Sequence, residues 1–245
     1  MSVFYTDISV VYDDLFPVSS SLLGMLNSLR EETRAESVTD CGCATGSQLL
    51  PFAESGMRCL GFDPDASLVA IAREKLGVWP NARIEEGGFA DLTRLAGKES
   101  DLLLCLGNSL VHVPQEEAGC FISDAWRVLS GNGRMLLQIL NYERLLRDGV
   151  EELATIRSSS GASELRRRNK WENRHKVLFR TTLTISDGKE RRIARNEIPL
   201  YPIYPRELYR MIESAGFKDI RFFGDYSGTV FYDDSEAVVC IASKA

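Results

Sequence analysis

The sequence lacks a surplus of positive charge: 29 lysines and arginines stand against 35 aspartates and glutamates, a net charge of −6 at pH 7. Such a chain repels a polyanion, so nucleic acid is not an expected partner. The densest basic stretch, Arg166 to Arg168 with Lys170, Arg174 and Lys176 around Trp171, is short, and short charge runs are as a rule solvated faces. No apolar run reaches the roughly 18 residues of a membrane span, and the first residues carry neither the basic nor the apolar region of a secretory leader. Cys41, Cys43, Cys59, Cys105, Cys120 and Cys240 never fall into C-x-x-C spacing, which argues against a zinc site or redox pair. They read as small hydrophobes of a reducing cytoplasm, and no metal is expected. With 245 residues, 44% hydrophobic and 26% charged, the chain can bury a large core without disulfides.

What is present is an alternation of short apolar runs with amphipathic segments. Val38–Cys41, Met57–Phe62, Arg83–Glu86, Asp101–Leu106 and Arg134–Leu140 read as strands, and Ser47–Glu54, Asp65–Leu76 and Gln115–Leu129 as the helices between them. The nearly unbroken apolar run at 101–106 suits a central parallel strand covered on both faces. Alternation of this kind predicts a parallel α/β sheet. From about Arg147 the rhythm changes: Val177–Ile185 and Arg191–Leu200 flank the turn signal Ser186-Asp-Gly-Lys189 and predict an antiparallel hairpin. The α/β pattern resumes at Pro205, with a helix to Gly216 and closing strands near 218–224 and 237–243. Residues 1–146 and 206–245 are thus expected to form one domain, with 147–205 as an antiparallel insertion over the active site.

Between the first strand and first helix lies Asp40-Cys-Gly-Cys-Ala-Thr-Gly46. Small residues there let a ligand approach the backbone, and an acid about 20 positions on, Asp63, can accept hydrogen bonds from ribose hydroxyls. These two features suit either a dinucleotide or an adenosyl ligand. The spacing favours the second, because G-x-G-x-x-G is absent: Ala44 and Ser47 occupy its second and third glycine positions.

Asp40 to Gly46 resembles the first motif of class I S-adenosylmethionine-dependent methyltransferases, an acid followed by small residues at alternate positions. The resemblance implies a Rossmann-like fold with a mostly parallel seven-stranded sheet. It implies Cys41, Gly42, Ala44 and Gly46 as contacts for the methionine portion of S-adenosyl-L-methionine, with Asp40 organising the turn. Gly61-Phe-Asp-Pro-Asp65 resembles the second-strand motif and Phe89-Ala-Asp91 the segment whose acid bonds the adenine amino group. Asp63 and Asp91 are therefore the implied ribose and adenine contacts, with Pro64 and Ala90 beside them. For Asp91 the alternative is a helix N-cap. Tyr12 belongs, with Tyr5, to an N-terminal segment resembling the one that covers the cofactor in small-molecule methyltransferases; simple hydrophobic docking of the terminus is the alternative.

Leu104 to Pro114 contains Gly-Asn-Ser-Leu-Val-His after a strand and resembles glycine N-methyltransferase and its small-molecule relatives. The implied assignments are Leu106, Gly107 and Asn108 at the cofactor, Asn108 and His112 as catalytic candidates, and Ser109 at the substrate. The Asn/Asp-Pro-Pro-Tyr/Phe pattern of nucleobase and glutamine methylation is missing. In the insertion, Arg195, Asn196, Tyr201 and Tyr204 are candidate substrate residues, Arg195 for a carboxylate. The expected function is methyl transfer to a nitrogen, with oxygen kept open, of a small-molecule acceptor by positioning donor and acceptor. An NAD-dependent oxidoreductase and a non-catalytic nucleoside-binding module are the alternatives, and a homodimer is compatible with either.

Overall fold

The computed structural model describes residues 7–97, 99–186 and 190–244. Tyr5 and the turn residues Asp187, Gly188 and Lys189 lie outside the described residues.

The main sheet is built from β1 (Ser37–Cys41), β2 (Arg58–Asp63), β3 (Ala82–Glu86), β4 (Ser100–Cys105), β5 (Leu129–Leu140), β10 (Lys218–Phe223) and β11 (Ala237–Ser243). Its seven strands lie in the order β10-β11-β5-β4-β1-β2-β3. β1 to β5 pair in parallel and β11 runs antiparallel to both neighbours. Leu102, Leu103 and Leu104 of β4 are each fully buried, as a strand covered on both faces requires. One cover holds α2 (Ser20–Thr33), α3 (Leu50–Glu54) and α4 (Ala66–Leu76); the other holds α5 (Leu92–Ala96), α6 (Gln115–Val128) and α8 (Pro205–Ser214). α1 (Tyr12–Leu15) packs outside these layers, against the second sheet, whereas α7 (Tyr142–Arg147) buries Tyr142 and Leu145 in the core of the second cover.

Two expectations shift in their boundaries. The helix expected from Ser47 begins only at Leu50, because Pro51 has no N–H and fits only a first turn, which leaves 46–49 as a turn closed by Leu49 N to Gly46 O at 3.0 Å. The strand expected from Arg134 begins already at Leu129, taking in Ser130–Gly133 and the last residue of the expected helix, and a register shift between Ser100 and Leu102 absorbs the extra length.

The second sheet has four strands, all antiparallel: β6 (Glu152–Arg157), β7 (Ser163–Asn173), β8 (Lys176–Ser186) and β9 (Arg191–Leu200). β8 and β9 are the expected hairpin. β7 is the arginine run itself, and strand alternation divides it: Arg166, Arg168 and Lys170 are exposed, while Leu165 and Asn169 are buried and Arg167 and Trp171 half-buried. One end of the inner face, Leu165, Leu183, Ile156, Ile185 and Ala194, packs on Ile8, Tyr12, Leu15 and Phe16; the other, Trp171, Phe179, Ile198 and Leu200, joins the main core. The second sheet therefore spans from the N-terminal segment to the C-terminal edge of β4 and β5.

Candidate active site

Asp40 is the penultimate residue of β1 and 1% exposed, with Oδ2 lacking any hydrogen-bond partner. Burial, followed by the nearby charge of Asp63, pushes its carboxyl up to about 7. The turn that follows is left-handed at Gly42 (φ 80°), Ala44 (φ 48°) and Gly46 (φ 73°). A Cβ on Gly42 would lie 2.9 Å from Ser109 Oγ, so glycine there keeps a narrow passage between the β1 and β4 edges open.

Asp63 ends β2 and ties the turn to it. Its Oδ2 accepts from Ala44 N at 3.0 Å and its Oδ1 from Asp65 N at 2.9 Å. Burial raises its pKa despite these two bonds. A carboxylate has about four acceptor directions, so both oxygens keep room for a ligand's hydroxyls. Asp91 is already engaged. Its Oδ2 accepts from Gly88 N at 3.0 Å and its Oδ1 from Arg94 Nη2 at 2.6 Å, and the Arg94 bond comes first in holding its pKa low. Asp91 does stand at the N-cap position of α5, but its side chain makes no capping bond to that helix and closes the Gly88–Asp91 turn instead. Gly87 N donates to Asp63 O at 3.1 Å and keeps this loop beside the β2 edge. Pro64, Ala90 and Gly107 are exposed along that edge, and Cys41 and Leu106 are buried under it.

Tyr12 approaches from α1. Burial first, then the charges of Asp63 and Asp40, raise its pKa. Next to it Asp13 fastens α1 to the glycine-rich turn, accepting from Thr45 Oγ1 at 2.5 Å, Ser47 Oγ at 2.8 Å and Lys75 Nζ at 2.6 Å.

At the β4 edge Gly107 and Asn108 are consecutive left-handed residues, φ 65° and 67°. The Asn108 amide is an internal clamp: Nδ2 donates to Tyr142 Oη at 2.9 Å and Oδ1 accepts from Leu140 N at 2.9 Å. Asn108 therefore joins the ends of β4, β5 and α7, which suits positioning better than contact with reacting atoms. Ser109 donates to Leu106 O at 2.7 Å and lies against Gly42 of the glycine-rich turn. His112 is solvent-accessible, yet desolvation by the surrounding protein lowers its pKa. A lowered pKa leaves it neutral at pH 7.

The insertion candidates separate. Asn196 is half-buried on the inner face, paired in register with Thr181, whereas Arg195 is exposed on the opposite face of β9, where strand alternation directs it away from the site. Tyr204 is likewise withdrawn: its hydroxyl donates to Arg174 O at 2.5 Å and its ring lies under the Arg174 guanidinium at 4.7 Å, so it anchors the β7–β8 turn. Tyr201 is half-buried, its backbone N bonded to Val111 O at 2.8 Å beside His112.

Sequence reasoning missed several residues here. Tyr142 is fully buried, bonded to Asn108, and edge-on to Trp171 at 6.3 Å between ring centres. Tyr226, from the β10–β11 loop, has its pKa raised by burial and then by Asp40 and Cys105, which brings it to the β1 and β4 edges. A strand-period reading of 163–173 was the one available signal for Arg167 and Asn169; nothing local marked Tyr226.

A buried acidic pair with no basic partner among the described residues, an orphan Asp40 oxygen and the lack of room for a Cβ at Gly42 fit a cationic ligand with a slender chain. The methyltransferase-domain family model matches residues 38–133. The glycine/sarcosine N-methyltransferase of Parasynechococcus marenigrum (strain WH8102) is 28% identical over 225 residues, covering 88% of this chain and 74% of that one. An S-adenosylmethionine-dependent methyltransferase from Clostridium acetobutylicum ATCC 824 superposes with TM-score 0.81 at 14% identity, covering 98% of each chain. CalS10 of Micromonospora echinaspora, an amino pentose methyltransferase solved with SAM bound, gives TM-score 0.72 at 17% identity over 100% of this chain and 98% of that one.

Proposed function

We propose, from the premise that the chain is a class I S-adenosylmethionine-dependent methyltransferase, that it methylates an amine nitrogen of a small metabolite, with residues 147–205 acting as the lid over the acceptor. The observation carrying this reading is the convergence of the Asp40–Gly46 turn, Asp63 and the Asn108–Tyr142 clamp on one sheet edge. Glycine, sarcosine and an amino pentose are what the similar proteins' names mention, and all offer an amine.

In this reading S-adenosylmethionine supplies an electrophilic methyl on a sulfonium. Gly42, Ala44 and Gly46 would cradle its methionine portion through backbone, Asp63 would accept from the ribose, and Asp91 would offer its remaining lone pairs to adenine. Asp40 and Asp63 complement the ligand's positive charge. The acceptor nitrogen's lone pair forms the new N–C bond as the S–C bond breaks; adenosylhomocysteine leaves, and the surplus amine proton passes to water. No strong base is required for an uncharged amine, so the neutral His112 orients the acceptor while the fold supplies alignment and exclusion of water.

The test is product-resolved methyl transfer from isotopically labelled S-adenosylmethionine to a panel of amines and matched alcohols, with glycine, sarcosine and an amino sugar included. Labelled N-methyl product is expected. Label only on oxygen, or on no acceptor, overturns the reading.

A further inference from the structure

The inner face of the second sheet carries polar groups that its own fold leaves unsatisfied. Arg167, Thr181 and Asn196 stand side by side in one row across β7, β8 and β9, and Asn169 lies two residues further along β7. Asn169 is 0% exposed, and among the described residues neither its Oδ1 nor its Nδ2 has a partner; Thr181 Oγ1, Arg167 Nε and Trp171 Nε1 are also unpartnered there. Buried polar groups are normally paired, so such a concentration is unusual.

The apolar row Leu165, Leu183 and Ala194 borders this band and rests on α1. On the other side Trp171 and Leu200, in register through Val177, rest on the main core, where Trp171 meets Tyr142. The polar band is thus suspended between the N-terminal segment and the Asn108–Tyr142 clamp.

Charge separates Arg167 from its neighbours. Arg166 pairs with Glu164 at 2.7 Å and Arg168 with Glu151 at 2.8 Å, both on the outer face. Arg167 forms no ion pair among the described residues; its Nη2 donates to Ala154 O at 2.8 Å. Its charge is partly desolvated, and Tyr142 is the titratable group it faces. A half-buried guanidinium without a carboxylate is stabilised by an anion brought to it.

We infer that Arg167, with Asn169 and Thr181, forms the recognition site for an anionic group, a carboxylate or a phosphate, on the methyl acceptor. The guanidinium donates to the anion, the Thr181 hydroxyl and Asn169 amide supply further hydrogen bonds, and the acceptor's amine is directed toward the Asn108–Tyr142 edge. The inference rests on the methyl-transfer reading above and adds to it a substrate class and its selecting residues.

The experiment titrates the complex with S-adenosylhomocysteine by calorimetry, so that no turnover is needed. Two matched pairs are compared: glycine with glycinamide for a carboxylate, and phosphoethanolamine with ethanolamine for a phosphate. The anionic member of one pair is expected to bind about 10- to 100-fold more tightly than its neutral counterpart, the scale of a charge-assisted bond. Arg167→Ala should abolish that preference, Arg167→Lys restore part of it, and Arg166→Ala leave it intact. Should Arg167→Ala fail to fold, Asn169→Asp serves instead, since it sets an internal carboxylate near Arg167 and should also remove the preference. Equal binding within both pairs, no binding of either anionic member, or a preference that survives loss of Arg167 overturns the inference. Failure of adenosylhomocysteine itself to bind would instead sink the methyltransferase reading.

Discussion

Asp40 and Asp63 lie on neighbouring strands near the ligand edge, and their environments give them different tasks. Asp63 is held by two backbone N–H groups, so Asp63→Ala removes a structural tie as well as a ligand contact. It is expected to weaken adenosylmethionine binding by about 1–3 kcal/mol, the cost of an unpaired buried partner, as read by calorimetry. Asp40 has an orphan oxygen and a folded pKa raised to about 7, above the ordinary carboxylate range. The folded, ligand-free protein therefore holds a proton that the unfolded chain has lost, and this group makes stability fall as pH rises from about 4 to about 7. Asp40→Asn should flatten that slope in thermal unfolding. If the ionised form receives the cationic ligand, affinity rises as pH passes 7 in the parent protein and loses that component in the variant. An unchanged profile in Asp40→Asn would assign the dependence to other groups.

Among the elements, α1 has only four residues and derives little stability from its own hydrogen bonds. Its place is fixed by Ile8 and Leu15 under the second sheet and by Asp13 on the glycine-rich turn. Burial alone would raise the Asp13 pKa, but bonds from Lys75, Thr45 and Ser47 outweigh it and hold it low. The strap therefore stays fastened at neutral pH and loosens only as pH falls through that lowered value. Asp13→Ala should release bound adenosylhomocysteine roughly two- to tenfold faster in stopped-flow displacement, a modest effect because the pair is partly exposed. Gly42→Ala acts on the turn itself: φ of 80° and a Cβ 2.9 Å from Ser109 Oγ demand movement of the β4 edge. Cofactor affinity should fall while the fold persists, a separation that circular dichroism and calorimetry together measure.

Over the whole molecule, the ligand is expected to bridge the main sheet, α1 and the second sheet, so binding should stabilise all three at once. Adenosylhomocysteine at about 100 times its Kd contributes about 2.7 kcal/mol by mass action. In a chain of 245 residues this corresponds to a Tm increase of roughly 5–10 °C. Hydrogen exchange should slow in β7 and β8 as well as around the glycine-rich turn; protection confined to the turn would mean that the second sheet does not close on the ligand.

By itself the sequence determined the strand and helix succession of the main sheet, the Asp40–Gly46 turn and Asp63. Each is a local pattern: apolar periodicity, glycine at left-handed positions, an acid at a strand end. Its strand reading of Val177–Ile185 and Arg191–Leu200 likewise describes β8 and β9. Tertiary structure decided what local pattern leaves open. Arg166 to Arg168 look alike in a row of letters, but pleating and the packing of Trp171 on Tyr142 leave one of them half-buried and its neighbours in water. The same alternation turns Arg195 outward, and the Arg174 carbonyl takes the Tyr204 hydroxyl. Asn108 reads as a group for chemistry until Leu140 and Tyr142, more than 30 residues away, claim both ends of its amide. The cofactor turn is local because a backbone can form it within a few residues. The proposed acceptor site draws on β7 and β8 of the second sheet and on the Asn108–Tyr142 clamp at the main sheet's edge, and so exists only once they pack.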